Sequence, residues 1–218
     1  MRRIADYVEE YVLETPLVEE HLSLGLINLS ALARHLRPRI RKALLRPVSD
    51  ASIMMALKRL APRVAARTRP PVTRTARPSD LTVRSNLVEL TFHTSDTIRE
   101  KHRRLLNRAD RVEDAFVTYT QGAAEVMLMV SAGLEKAVLE VFAGERLVSR
   151  VRNLSALVIR LAPATLQTPG VYYAILKRLA WQDINVVDVV STYTEFTIVV
   201  ANDQVDAAFS ALRRYFWP

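Results

Sequence analysis

The sequence predicts an α+β protein in which a small all-α domain precedes two copies of a strand-helix-strand-strand-helix unit. Three observations predict this fold. Apolar residues recur at helical spacing in the N-terminal part, a stretch rich in Pro and Arg then interrupts the pattern, and the rest of the chain matches itself after a shift of 70 residues. The expected boundaries are 1–62 for the helical domain, 63–82 for a basic linker, 83–152 for the first copy and 153–218 for the second.

Three helices are expected in the N-terminal domain. The first, Ile4–Leu13, has its apolar residues on one face. The second is expected to end early, because Pro38 removes a backbone hydrogen bond from the helix interior. The candidate capping residues of the second and third helices are Asn28, Ser30, Ser49 and Asp50. The inward face of the third helix consists of Ile53, Ala56, Leu57 and Leu60.

The segment 26–62 resembles a helix-turn-helix or winged-helix unit, through Leu29–Arg34, a break, Val48–Asp50 and the helix Ile53–Leu60. If the third helix enters the major groove of DNA, its outward residues include Ser52, Met55, Arg59 and Arg63. Much of this helix is apolar, so the alternative is that it packs against another helix or mediates dimerisation.

The net charge of +8 belongs entirely to the N-terminal part of the chain. Residues 1–84 contain 16 Lys and Arg against 8 Asp and Glu, whereas residues 85–218 contain 15 of each. This asymmetry favours a surface that binds a polyanion such as nucleic acid, or else a solvated basic face with a flexible tether. The candidate nucleic-acid-binding residues are Arg59, Arg63, Arg67, Arg69, Arg74 and Arg77.

The internal repeat places Glu125–Val130 on Glu195–Val200 without a gap. Each copy has strands rich in β-branched residues and a last helix with one apolar stripe. A strand, Arg146–Val151, is expected after the last helix of the first copy, but the sequence stops at Pro218 before any equivalent. We therefore expect a strand of the first copy to fill the fourth position in the second.

The second copy resembles an ACT domain, a ferredoxin-like βαββαβ module that binds ligands, and most closely the paired version found in aspartokinases. The residues that carry the resemblance are Thr168–Val171, Asp183–Val187, Ser191 and Thr194–Val200. The resemblance implies an amino-acid site at the loop and helix start, facing the strand that begins at Asn185. The ligand-binding residues that it implies are Gln167, Thr168, Gly170, Val171, Asn185, Val187, Thr194 and Glu195.

Local chemistry is consistent with such a site. Pro169 and Gly170 are expected to open a helix, whose free N–H groups and dipole favour a carboxylate. The preceding loop, Ala162–Gln167, contains no acidic residue that could meet an ammonium group. In the first copy, Ser95 or Asp96 is expected to cap the corresponding helix, and this copy is expected to bind nothing.

The sequence predicts no catalytic residues, no metal site and no cofactor. It has no cysteine, only five scattered glycines and four separated histidines, so a thiolate nucleophile, a phosphate-binding glycine loop and a zinc site are not expected. Its apolar runs are too short to span a bilayer, and a cytoplasmic location is expected. We therefore expect a non-catalytic regulatory protein.

Two further alternatives follow from the same features. The chain could be a structural protein that uses the paired units only for oligomerisation, or a regulatory subunit of a separate amino-acid biosynthetic enzyme. The expected partners are a small-molecule ligand, which the family resemblance implies to be an amino acid, nucleic acid through residues 1–84, and at least a second copy of the chain.

Overall fold

The computed structural model describes residues 2–67 and 78–217. The chain divides into two compact units, Met1–Pro70 and Pro71–Pro218. Arg69, Arg74 and Arg77, predicted to contact nucleic acid, lie outside the described residues. Within the described ranges, no helix has the length and apolar character needed to cross a membrane.

The N-terminal unit contains four helices in its described part, one more than the sequence predicted. They are α1 (Ile4–Glu14), α2 (Pro16–Ser23), α3 (Leu29–Leu44) and α4 (Asp50–Arg67). The missed helix, α2, begins directly after α1 with Pro16 in its first turn, where the missing N–H of proline costs nothing. Asn28 caps α3 by accepting the Ala31 N–H at 3.0 Å.

Prolines do not end the helices of this unit, so the prediction that α3 stops early at Pro38 is wrong. Likewise, α4 passes Pro62 and continues to Arg67, into the stretch predicted as linker. Both prolines are exposed, whereas Ile40 and Val64 beyond them are buried. Burial of these later residues offsets the lost backbone hydrogen bond.

Helix α4 is the centre of the N-terminal unit, because α1, α2 and α3 all pack against it. The hydroxyl of Ser49 accepts the Ser52 N–H at 3.3 Å and caps its first turn. Its predicted inward face is confirmed, since Ile53, Ala56, Leu57 and Leu60 are all buried.

The second unit is a mixed structure of strands and helices, as predicted. In chain order its described elements are β1 (Asp80–His93), α5 (Ile98–Ala109), β2 (Val117–Gln121), β3 (Glu125–Ser131), α6 (Glu135–Val141), β4 (Leu147–Arg160), α7 (Val171–Ala180), β5 (Asp188–Ser191), β6 (Glu195–Ala201) and α8 (Val205–Phe216). The strands form one antiparallel sheet in the order β2-β3-β1-β4-β6-β5. Helices α5 and α6 pack on the first copy's strands, and α7 and α8 pack on the second copy's strands.

The two long strands, β1 and β4, join the copies. The end of β1 and the start of β4 belong to the first copy, while the end of β4 pairs with β6 of the second. The start of β1 pairs with the end of β4, so that Asp80 lies opposite Arg160 and Arg84 opposite Ala156. This confirms the prediction that a strand of the first copy fills the fourth position of the second.

The sheet is interrupted midway along both long strands. Asn86 in β1 and Asn153 in β4 have φ values of 59° and 57°, at shifts in the pairing register. Asparagine tolerates this left-handed conformation better than most residues. Beyond these bulges, apolar residues from both copies form one buried cluster on the face opposite the helices, so the two halves of the sheet cover each other there.

The repeat is not gapless, contrary to the prediction. Phe92 pairs with Val126 in the first copy, and Ile159 pairs with Phe196 in the second. The shift between copies is therefore 67 residues in the first strand (159 minus 92) but 70 in the third (196 minus 126). The second copy consequently has three additional residues between these strands, and they lie in the loop before its first helix.

Candidate functional site

The loop between β4 and α7 is the main structural difference between the two copies. It spans residues 161–170, whereas the loop between β1 and α5 spans only residues 94–97. A 3-10 turn, Pro163–Gln167, occupies its centre. Helix α7 begins at Val171, so Pro169 and Gly170 precede it. The prediction that these two residues form its first turn is wrong.

Gly170 occupies the N-cap position of α7 with φ at 87°, a left-handed conformation that glycine adopts without strain. In the part of the chain that the structure describes, no side chain caps this helix end. The nearby hydroxyl groups of Thr165 and Thr168 donate to loop carbonyls, those of Ala162 at 2.6 Å and Ala164 at 3.1 Å. The loop is therefore held by its own hydrogen bonds, and the first N–H groups of α7 are left for an external acceptor.

A cleft of about 430 Å³ opens beside this helix start. The loop and α7 form one wall, and the hairpin between β5 and β6 forms the other. Its lining residues are Leu161, Thr165, Thr168, Gly170, Val171, Tyr172, Tyr173, Thr192, Tyr193, Thr194 and Glu195. The hairpin is fixed to the loop because the Leu161 N–H donates to the Thr194 carbonyl at 2.7 Å.

Three tyrosines and one carboxylate determine the chemistry of the cleft. The Tyr172 ring stacks on Phe196, with ring centroids 4.2 Å apart, while Tyr193 is 70% exposed. Glu195 meets Arg160 at 3.2 Å, but both side chains are largely exposed and the pair is weakly held. The cleft therefore combines helix N–H donors for a carboxylate, a carboxylate for an ammonium group, and aromatic surface for a side chain.

Five of the eight predicted ligand-binding residues line this cleft, namely Thr168, Gly170, Val171, Thr194 and Glu195. Gln167, Asn185 and Val187 do not line it. The Asn185 N–H donates to the Gln204 side chain at 3.3 Å. Val187 packs in the apolar cluster on the opposite face of the sheet. The predicted opposing wall is therefore formed by the hairpin and not by the segment that leads into β5.

The three tyrosines of the cleft were not predicted from the sequence. Tyr172 and Tyr173 directly follow the predicted Val171, and Tyr193 directly precedes the predicted Thr194. The available signal was that these tyrosines directly adjoin residues that the family resemblance had placed at the site.

The corresponding helix start in the first copy is occupied by a carboxylate of the chain itself. Glu145 accepts hydrogen bonds from the hydroxyls of Ser95 and Thr97 and pairs with Lys101 at 2.6 Å. The pKa of Glu145 is lowered to about 2, most strongly by the hydrogen bond from the Lys101 ammonium and further by those from the two hydroxyls. The prediction that Ser95 or Asp96 caps α5 is wrong, because Thr97 holds the N-cap position and Ser95 donates to Glu145.

The predicted outward residues of α4 are distributed unevenly. Met55, Arg59 and Arg63 are exposed, but Ser52 is half-buried. The Arg63 guanidinium donates to Glu9 of α1 at 2.9 Å, which neutralises one of the two arginines expected to face DNA. Arg67 is the last described residue of α4. In the described part of the chain, no cluster of three or more His, Asp or Glu residues could hold a metal ion.

Comparisons with known proteins add the fold family. No protein-family model and no curated protein matches this chain. The ligand-free regulatory subunit of aspartate kinase from Thermus thermophilus matches with a TM-score of 0.54 at 13% identity, over 65% of this chain and 99% of that chain. Aspartokinase III of E. coli in complex with aspartate and ADP matches with a TM-score of 0.53 at 16% identity, over 66% of this chain.

The same E. coli enzyme in complex with lysine and aspartate matches with a TM-score of 0.50 at 14% identity, over 65% of this chain. Both E. coli matches cover only 34% of the enzyme, whereas the Thermus match covers almost the whole regulatory subunit. At these identities, the similarity to the aspartate kinase structures shows the fold alone. The second unit therefore has the fold of a tandem ACT pair that resembles the regulatory region of aspartate kinases.

Proposed function

We propose that this protein is a non-catalytic regulator that senses an amino acid through the cleft of its second ACT unit. The observation that carries the proposal is the contrast between the two helix starts. In the first copy the Glu145 carboxylate lies beside the helix start, bound to the hydroxyls of Ser95 and Thr97 and to Lys101, whereas in the second copy the start of α7 faces a cleft of about 430 Å³.

The proposed ligand pose follows from the charges of the cleft. The ligand carboxylate would accept hydrogen bonds from the N–H groups of Val171 and Tyr172, at the positive end of the helix dipole. Its ammonium group would meet Glu195, which would exchange its exposed contact with Arg160 for the ligand. Glu195 would thus supply the acidic group that the Ala162–Gln167 loop lacks. The aspartokinase III structure with lysine and aspartate supports an amino acid as the ligand class.

A thermal-shift screen of the twenty amino acids tests the proposal. A ligand at about 100 times its dissociation constant stabilises the folded state by about 2.7 kcal/mol. Glu195→Gln is expected to weaken binding about tenfold, because it removes a charged partner. Glu125→Gln is the matched control, since Glu125 opens β3 of the first copy as Glu195 opens β6. Absence of any stabilising amino acid, or equal weakening by both variants, would contradict the proposal.

We also propose that the basic N-terminal part transmits the signal through nucleic acid. The supporting observation is the charge division between residues 1–84 and 85–218, together with the exposed guanidinium of Arg59. The central packing of α4 favours the other candidate function, in which the helical unit contacts protein and the chain serves as a structural partner or a regulatory subunit of a separate enzyme. Retardation of duplex DNA at low salt separates these two outputs.

A further inference from the structure

A second concave surface lies on the N-terminal unit. It is a cleft of about 570 Å³ between the start of α1, the connection from α3 to α4, and one face of α4. Four arginines line it. Arg3 precedes α1, Arg46 lies in the α3–α4 connection, and Arg59 and Arg63 project from α4.

The positive charge of this cleft is only partly neutralised. Glu9, its one carboxylate, is already bound to Arg63 at 2.9 Å. Arg3 is 83% exposed and meets Asp6 only at 3.6 Å. Among the described residues, neither Arg46 nor Arg59 has a salt-bridge partner. Like charges gathered around one concavity repel each other, so a bound anion would relieve an unfavourable arrangement.

The geometry favours phosphate over a carboxylate as that anion. Guanidinium groups bind phosphate through two parallel hydrogen bonds each, and one phosphate can accept from several of them. Arg3 faces Asp6 and Arg63 faces Glu9, so two positive charges remain uncompensated at the cleft. A phosphate group, with a charge of about −1.5 to −2 at pH 7, balances them better than a single carboxylate does. The floor is apolar, with Ala56 and Leu60 buried and Ile4 half-buried, so it can accommodate the organic part of a phosphate ester.

We propose that this cleft is a phosphate-binding site, with Arg46 and Arg59 as its principal ligands. The phosphate belongs either to a free phosphorylated small molecule or to the backbone of a nucleic acid. The site is independent of the amino-acid cleft, and it differs from diffuse attraction by the basic stretch because the contacts converge on one cavity.

The experiment uses the full chain labelled with ¹⁵N, and follows the Arg Nε–Hε resonances by NMR at low ionic strength. One arm titrates inorganic phosphate, and the other titrates a short DNA duplex. The variants are Arg46→Gln and Arg59→Gln. The matched control is Arg34→Gln on α3, which removes the same charge from an exposed position outside the cleft. All three residues are exposed, so the variants are expected to fold, and circular dichroism checks this.

We expect phosphate to shift the resonances of Arg46 and Arg59, and each cleft variant to lose about tenfold in affinity while Arg34→Gln stays within twofold. Response in the phosphate arm supports a free phosphorylated ligand. Response in the DNA arm alone, with the same selectivity between variants, supports a nucleic-acid phosphate. Equal loss in all three variants would overturn the site in favour of diffuse charge, and no binding in either arm would overturn it as well.

Discussion

Glu145 is expected to make a large contribution to the stability of the ACT pair, and Glu145→Gln removes its charge with little change in shape. The side chain is only 6% exposed, and it is bound by Ser95, Thr97 and Lys101. Its pKa is held at about 2, against 4.5 for an unperturbed glutamate. Each unit of difference corresponds to about 1.4 kcal/mol, so the ionised carboxylate stabilises the fold by at most about 3.5 kcal/mol.

The glutamine amide can still accept a hydroxyl hydrogen bond, so we expect Glu145→Gln to lower the free energy of unfolding by about 2 kcal/mol at pH 7. In this size range that loss corresponds to a decrease of about 4–8 °C in Tm. Both tryptophans, Trp181 and Trp217, lie in the second unit, so tryptophan fluorescence during denaturation reports on the ACT pair.

The effect has a defined pH dependence. Because the pKa of Glu145 is lower in the folded state than in the unfolded state, its stabilisation is fully present above about pH 4.5 and is lost as the pH falls towards about 2. The difference between Glu145→Gln and wild type is therefore expected to shrink to less than half at pH 3.

Glu140→Gln provides the control, since Glu140 pairs with Arg108 at 2.9 Å but both side chains are about half exposed. Such surface pairs contribute at most about 1 kcal/mol. Destabilisation by Glu145→Gln no larger than that by Glu140→Gln, or an equal effect at pH 3 and pH 7, would refute this role of Glu145.

Three further predictions concern the ligand, the assembly and the output. Gly170→Ala is expected to lower the free energy of unfolding by about 1 kcal/mol, because the φ of Gly170 is 87°, and to weaken amino-acid binding. Gly133→Ala is the control, since Gly133 has no positive φ, and it should change neither property. An unaltered ligand affinity of Gly170→Ala, measured by calorimetry, would place the site elsewhere. The chain is expected to form at least a dimer, because β2 and β5 are the outer strands of the sheet and leave its two edges open. Light scattering that shows a monomer at micromolar concentrations would rule this out. The logarithm of the DNA affinity is expected to fall with the logarithm of the salt concentration, with a slope of about −0.9 per phosphate contacted. Replacing Arg67, Arg69, Arg74 and Arg77 by Ser should make this slope less steep. Retention of the full slope in that variant would exclude the basic stretch as the contact.

The architecture of the second unit could be predicted because strand and helix periodicities are strong in both copies. The fourth strand could be inferred because a sheet edge needs a partner. The difference between shifts of 70 and 67 residues could not be predicted. Adjacent residues of the first strands, such as Leu87 and Val88 or Ala156 and Leu157, are apolar on both faces, so no alternation in the sequence fixes the alignment. The three additional residues in the 161–170 loop were therefore hidden, although this loop shapes the cleft.

The helical unit and the candidate site show a similar division. Caps and inward faces followed from local chemistry, as with Asn28 and Ser49. The passage of α3 and α4 through Pro38 and Pro62 did not, because tertiary burial of later residues outweighed the local cost of proline. The Glu145 contact with Ser95 joins residues 50 apart in the chain, and no local pattern signals such a pairing.

The central claim, that an amino acid binds at the start of α7 and not at the start of α5, is tested most directly by backbone amide NMR of the full chain. The amino acid that stabilises the protein most in the thermal screen would be titrated into the labelled protein. The amides of Val171, Tyr172 and Tyr173 should shift with saturable, identical dissociation constants, while those of Ile98 and Arg99 in the first copy stay unchanged. Shifts of the first-copy amides of equal size, or unchanged amides at the start of α7, would contradict it.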